Sequence, residues 1–214
     1  MKVVITGANR GIGKALADRY RAAGCVVSAT SRDGSTGIGL DVADAAGFSR
    51  FSDDLGNQAV DLLVCNAGVY LDKGQQTDGG YPAQMWADTF AVNVTGVFLT
   101  VQASLKQLRQ ARTPKIAIIS SRMASQDLAP GGSYIYRASK AAALNLGRNL
   151  AMDLRGDGIA VGIYHPGWVR TDMGGSAADV GVDAAADGLV SRFEALNMST
   201  TGCFETFDGQ TLPF

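Results

Sequence analysis

Tyr136 and Lys140 stand four residues apart, a spacing that on a helix puts both side chains on one face. A free phenol ionises near pH ~10 and is a poor base at neutrality. A neighbouring ammonium favours the phenolate, so the pairing predicts a lowered pKa for Tyr136 and a side chain able to give a proton to a carbonyl oxygen or take one from an alcohol. Tyr134 has no lysine at that distance. Ser121, at the end of a strand-like run, is expected to hydrogen-bond the same substrate oxygen, with Ser120 facing away. Asn93 interrupts an apolar helical face and must be hydrogen-bonded there, either as a structural bridge or as a functional group holding a water that passes protons between Lys140 and solvent. His165, the single histidine, has no aspartate or serine partner in view and reads as the cap of a strand end.

These side chains need a scaffold, and the chain announces it at once. Val3-Val4-Ile5 is a β-branched run that breaks into Thr6-Gly7-Ala8-Asn9-Arg10-Gly11-Ile12-Gly13 and gives way to the helical pattern Ile12, Leu16, Tyr20. In a strand–turn–helix of this kind Gly7 permits the turn, Gly11 lets the backbone approach a pyrophosphate, and Gly13 lets helix and strand pack closely. The phosphates then meet free N–H groups at the helix N-terminus. The spacing predicts a second strand over 25–30, a glycine-rich link over 34–39 and a short strand end at Leu40-Asp41-Val42. A helix over 43–55 follows. Asp41 reads equally as a turn or capping residue and as a cofactor contact.

Val60 to Cys65 is nearly continuously apolar, as a parallel strand covered on both faces should be, and stops at Asn66-Ala67-Gly68. Small residues at that carboxyl end let a cofactor lie across the backbone. One helix is expected over 83–111, a strand over 115–119, a helix from 133 to about 154, and a strand over 159–164 ending at His165-Pro166-Gly167. A helix over 183–196 and a last strand over 202–207 close the chain. Alternating strands and helices make this one α/β domain over 1–214: a doubly wound, mostly parallel seven-stranded sheet with helices on both faces.

Nineteen basic and twenty acidic residues, without long charge runs, give a net charge of −1 and no footprint for nucleic acid or an acidic membrane. No apolar run approaches the ~20 residues that span a bilayer. Cys25, Cys65 and Cys203 are scattered in apolar runs, without zinc spacing, and suit buried thiols in a cytoplasmic protein; no metal site is expected.

In order along the chain, Thr6 to Gly13, Asn66 to Gly68, Asn93, Ser121, Tyr136 to Lys140 and Pro166-Gly167-Trp168-Val169-Arg170-Thr171 resemble the motifs of the compact short-chain dehydrogenases and reductases, carbonyl reductases in particular. The resemblance implies a nicotinamide cofactor, a small carbonyl or alcohol substrate, and Asn93, Ser121, Tyr136 and Lys140 as the catalytic set. It places Asp41 towards the adenine, Pro166 and Gly167 beside the nicotinamide, Val169 near its carboxamide and Thr171 near the phosphates. It also implies a homodimer or homotetramer, through the helix around Phe98 and the face of Ala141, Ala142, Leu144 and Gly147. Cys65 stands where the family more usually has asparagine, and the stretch between Ser121 and Tyr136 is slightly long. The short glycine- and alanine-rich segment 173–183 predicts a small lid and an open pocket. A non-catalytic nucleotide-binding or signalling protein on the same fold is the competing reading.

Coenzyme choice turns on the end of the second strand. An acidic residue about 20 positions past the glycines accepts the ribose hydroxyls of NAD, and a nearby arginine accommodates the 2′-phosphate of NADP. Here that place holds Ser31, with Arg32 next and Arg10 in the glycine turn as a second cation, while Asp33-Gly34 reads as a turn. NADP(H) is expected.

Overall fold

The computed structural model describes residues 1–214. Seven strands form one sheet in the order β3-β2-β1-β4-β5-β6-β7. They are β1 (Lys2–Ile5), β2 (Val26–Ser31), β3 (Ile38–Gly39), β4 (Leu62–Cys65), β5 (Lys115–Ile119), β6 (Ala160–His165) and β7 (Phe204–Thr206). Every strand pairing is parallel; helices make the crossovers, except between β2 and β3, which a short glycine-rich link joins. Six α-helices cover the two faces: α1 (Gly11–Ala22), α2 (Gly47–Leu55), α3 (Ala83–Phe90), α4 (Gly96–Leu108), α5 (Tyr134–Asp153) and α6 (Val182–Ala195).

Because successive strand residues point to opposite faces, each strand feeds two cores. Val4, Leu63, Ile116, Ile118 and Val161 pack with Phe51, Leu55, Val101, Leu108 and Leu150 on one side. Val3, Ile5, Val64, Ala117 and Tyr164 pack with Leu16, Tyr20, Leu189 and Phe193 on the other. The strand order reverses between β1 and β4, so their carboxyl ends open a crevice at the point where such sheets bind ligands.

Several boundaries differ from those the sequence predicts. Asp41 and Asp44 each accept a backbone N–H two residues on, from Ala43 and Ala46, both at 3.0 Å; these local bonds make turns and delay α2 to Gly47. The short strand lies at Ile38–Gly39, pairing with Thr30 and Ser31, rather than at 40–42. β2 ends on Ser31, one residue later than expected.

The helix expected over 83–111 is interrupted by a π-helical turn at Ala91–Thr95, centred on Asn93, and ends at Leu108. Leu144 and Gly147 do not belong to a free face: a Cβ on Gly147 would lie 2.6 Å from the Ile163 side chain, so this stretch of α5 presses directly on the sheet. No helix is long and apolar enough to cross a membrane.

Candidate active site

Gly7 leaves β1 with φ 64°, a left-handed conformation that suits glycine, and turns the chain across the crevice. The turn is bolted to the end of β4. Asn66 Nδ2 donates to the carbonyls of Thr6 (2.9 Å) and Gly7 (3.0 Å), and Thr6 Oγ1 accepts from the Asn66 and Ala67 N–H groups (3.0 and 3.1 Å). The Asn66 side chain is thus a strut between the two loops, and Ala67 and Gly68 carry the open backbone.

No side chain caps α1, whose first N–H groups therefore point unpaired into the crevice. A Cβ on Gly11 would meet the Thr171 methyl at 3.3 Å, which sets Thr171 beside this turn. Uncapped helix donors, glycines where a Cβ would intrude and an arginine at the turn form a donor set that fits the pyrophosphate of a dinucleotide.

Asn93, Ser121, Tyr136 and Lys140 are brought together at the carboxyl ends of β4 and β5, all buried. Asn93 is fully enclosed: its Oδ1 accepts from Val69 N (2.9 Å), and its Nδ2 donates to Val69 O (2.9 Å) and Ser139 Oγ (3.0 Å). Ser139 in turn donates to the Tyr136 carbonyl at 2.8 Å, so the bridging expectation for Asn93 describes its contacts. A Cβ on Gly68 would touch both Asn93 Oδ1 and Lys140 Nζ at 3.3 Å, and Lys140 Nζ donates to Ile119 O at 3.0 Å. Ser120 Oγ donates to the Lys140 carbonyl at 3.0 Å, away from Tyr136. Ser121 Oγ accepts from Met123 N at 3.1 Å, and its hydroxyl lies on the side of Tyr136 where it favours the phenolate.

The electrostatics correct the sequence expectation. Burial pushes the Tyr136 pKa above its ordinary value; the Ser121 hydroxyl opposes this, and Tyr70 and Asp72 add to it. The same burial lowers Lys140 to about 8. Lys140 Nζ lies 5.7 Å from the Tyr136 ring centroid, but an ammonium that is itself poorly solvated and readily discharged does not offset the desolvation of the phenolate. The Tyr136 hydroxyl is therefore protonated at neutral pH.

His165 is neutral as well, lowered to about 4 mainly by burial, and its Nδ1 has no partner. It ends β6 as expected.

Sequence reasoning missed three neighbours of Tyr136. Tyr70 stacks on its ring (centroids 4.2 Å apart) and bonds Ser133 Oγ through its hydroxyl (2.5 Å). The fully buried Asp72 accepts from the N–H groups of Ile135 (2.9 Å) and Tyr136 (3.2 Å). Ser139 completes the set. Only Ser139, within the Tyr136–Lys140 stretch, had a positional signal.

Around the second strand's end, Ser31 is buried and donates to Asp33 Oδ1 at 2.7 Å. Asp33 also accepts from Ser35 N and Oγ, and these hydroxyls hold its carboxyl down to about 2. Asp33 is thereby tied into the turn, while Arg32 is exposed and enters no ion pair. Arg10 is exposed and bonds Asp172 at 2.8 Å, and Asn9 is exposed beside it; Ile12 is half-buried. Asp41 is exposed, with its carboxylate on Ala43 N, as in the turn reading.

Pro166 and Val169 are buried, and Gly167 takes φ 87°. Arg170 fastens the segment they open to the carbonyls of Ala178 (2.7 Å) and Asp179 (2.9 Å). Lys73 reaches the carbonyls of Met173 and Gly174 at 3.5 Å.

The family model for short chain dehydrogenases matches residues 33–180. The chain belongs to the short-chain dehydrogenases. Among its relatives, the C-signal protein of Myxococcus xanthus is 37% identical over 156 residues, 72% of this chain and 93% of that one. The 1-hydroxy-2-glutathionyl-2-methyl-3-butene dehydrogenase of Rhodococcus sp. (strain AD45) is 31% identical over 227 residues, 98% of both chains. Among solved structures, the NADPH-bound carbonyl reductase from chicken fatty liver superposes with a TM-score of 0.89 at 29% identity, covering 100% of this chain and 98% of that one. The carbonyl reductase Sniffer of D. melanogaster gives 0.91 at 25%, covering 100% and 99%.

Proposed function

We propose that this protein is an NADP(H)-dependent oxidoreductase that interconverts a ketone or aldehyde with its alcohol, Tyr136 serving as the acid and base. The observation that carries the reading is the buried cluster of Ser121, Tyr136 and Lys140 facing the crevice beside the uncapped glycine turn. Bound NADPH supplies the hydride. Ser121 and Tyr136 together hold the carbonyl oxygen, and Tyr136 gives up its proton as the carbon accepts the hydride, so alcohol and NADP+ leave in balance. Lys140, titrating near 8, returns a proton to Tyr136 from the side of Asn93 and Gly68. Asn93 fixes Val69 and, through Ser139, the first turn of α5. Incubating the protein with NADPH and a panel of ketones and aldehydes should oxidise the coenzyme with several of them; a panel without a single substrate would overturn the reading.

Coenzyme choice rests on the free Arg32 guanidinium and the uncharged, buried Ser31. NADPH should give a higher kcat/KM than NADH, Arg32→Ala should weaken chiefly the NADPH reaction, and Ser31→Asp should shift preference towards NADH. Equal efficiencies with the two coenzymes would contradict these roles. Pro166, Gly167, Val169 and Thr171 would flank the nicotinamide and phosphates, and Ala67 and Gly68 the intervening backbone. Asn9, Arg10, Gly11, Ile12 and Gly13 would line the pyrophosphate turn.

The same reading takes residues 1–214 as one domain in a reducing compartment, which the three free thiols support. A homodimer or homotetramer would form through α4, where Phe98 stays exposed. The name of the C-signal relative favours a second reading, signalling without turnover. Tight NADPH binding with no carbonyl reduced would support it.

A further inference from the structure

We propose that Asp72 is a positioning residue for Tyr136, holding the first turn of α5 so that the Tyr136 hydroxyl stays against Ser121. The proposal rests on the reading of Tyr136 as proton donor. An N-terminal cap normally comes from the residue at the helix start. Ser133 occupies that place in α5, in a left-handed conformation (φ 49°), and makes no cap bond. The acceptor comes instead from the loop after β4, more than sixty residues earlier in the chain: Asp72 Oδ2 takes the Ile135 N–H at 2.9 Å, and both its oxygens lie within 3.3 Å of the Tyr136 nitrogen.

Asp72 has no exposed surface. Burying a lone carboxylate is costly, and only fixed N–H donors and the positive end of a helix offset it here. The same loop stacks the Tyr70 ring on Tyr136 and ties the Tyr70 hydroxyl to Ser133, and Asn93 clamps Val69 in that loop through both its N–H and its carbonyl. Segment 69–72 therefore grips Tyr136 by its backbone and its ring.

A second consequence is electrostatic. The charged and titratable groups facing Tyr136 are Lys140 on α5, and Tyr70 and Asp72 on this loop; the Ser121 hydroxyl faces it from the end of β5. Of these, Asp72 and Tyr70 disfavour the phenolate and Ser121 favours it. Removing the Asp72 charge should therefore lower the Tyr136 pKa.

The test compares Asp72→Ala and Asp72→Asn with the unmodified protein, following kcat, the NADPH Kd and the 13Cζ resonance of Tyr136, assigned by its loss in Tyr136→Phe. Asp72→Ala should lower kcat by about 10- to 100-fold, the scale of a misplaced catalytic group, leave the Kd within about twofold and broaden or split the resonance. Asp72→Asn, which keeps one acceptor, should recover most of the lost kcat and keep a single resonance that begins to ionise at lower pH than in the unmodified protein. The resonance needs no turnover. If the unmodified protein reduces no carbonyl while the variants move the signal as described, the proposed function fails and the role of Asp72 stands. An unchanged single resonance with kcat within about twofold in Asp72→Ala overturns the role of Asp72. Should that variant not fold, an Asp72→Asn resonance ionising no earlier than that of the unmodified protein does the same.

Discussion

Tyr136→Phe should lower kcat for carbonyl reduction by about 10²- to 10⁴-fold, the range that a positioned general acid contributes. The substitution removes one oxygen and little else. Tyr136 is buried, and its ring packs on Tyr70 with centroids 4.2 Å apart, a contact that phenylalanine keeps. The backbone N–H still reaches Asp72, and Ser121 still accepts from Met123. NADPH binding and the melting temperature should therefore stay close to those of the unmodified protein, which separates loss of chemistry from loss of fold. Steady-state kinetics beside a fluorescence titration of the coenzyme would show the split. A kcat within about threefold of the unmodified value would remove Tyr136 from the mechanism.

Gly13→Ala should have the largest effect among single-methyl changes in the turn. A Cβ there would stand 2.3 Å from Gly7 O, 2.5 Å from Asn66 Nδ2 and 3.1 Å from Ala8 Cα. Two of those atoms are backbone, and the third is held by its bonds to the Thr6 and Gly7 carbonyls, so nothing nearby swings aside cheaply. Overpacking at a site of this kind costs about 1–3 kcal/mol, which in a chain of this size lowers Tm by roughly 2–12 °C. The displaced turn also withdraws its N–H groups from the pyrophosphate, so NADPH binding should be lost along with the stability. Gly156→Ala is the control, since a Cβ there meets nothing within 4 Å and its φ is not in the left-handed region. Thermal melts with and without NADPH would check both variants. A Gly13→Ala protein that melts and binds as the unmodified one does would mean that the turn repacks freely.

What the sequence made legible was local. The run from Val3 to Leu16 reads directly as strand, turn and helix because its apolar periodicity changes where its glycines stand, and β1 and α1 follow it closely. Tyr136 and Lys140 were legible for the same reason, their spacing being a property of one helix.

The features that escaped are tertiary. Asn93 is visible in the sequence as a polar break in the apolar face of 83–111, but the π turn around it is not, because the partners of Asn93, Val69 and Ser139, come from other elements. Asp72 sits in a loop without period or motif, and the N–H groups it serves lie far along the chain. The pKa of Tyr136 took the opposite direction because proximity to Lys140 can be read from spacing, whereas the burial that outweighs it cannot. Gly147 reads as a small-residue helix face in sequence; only the position of Ile163 shows that it faces the sheet.

The most direct test follows the transferred hydrogen. With NADPH deuterated at the C4 position that donates hydride, and a ketone from the panel as acceptor, the alcohol should carry one deuterium on its carbinol carbon by mass spectrometry, at a rate that collapses in Tyr136→Phe. An alcohol without label, or coenzyme that binds and is never oxidised with any carbonyl offered, would contradict the assignment of this protein as a carbonyl oxidoreductase.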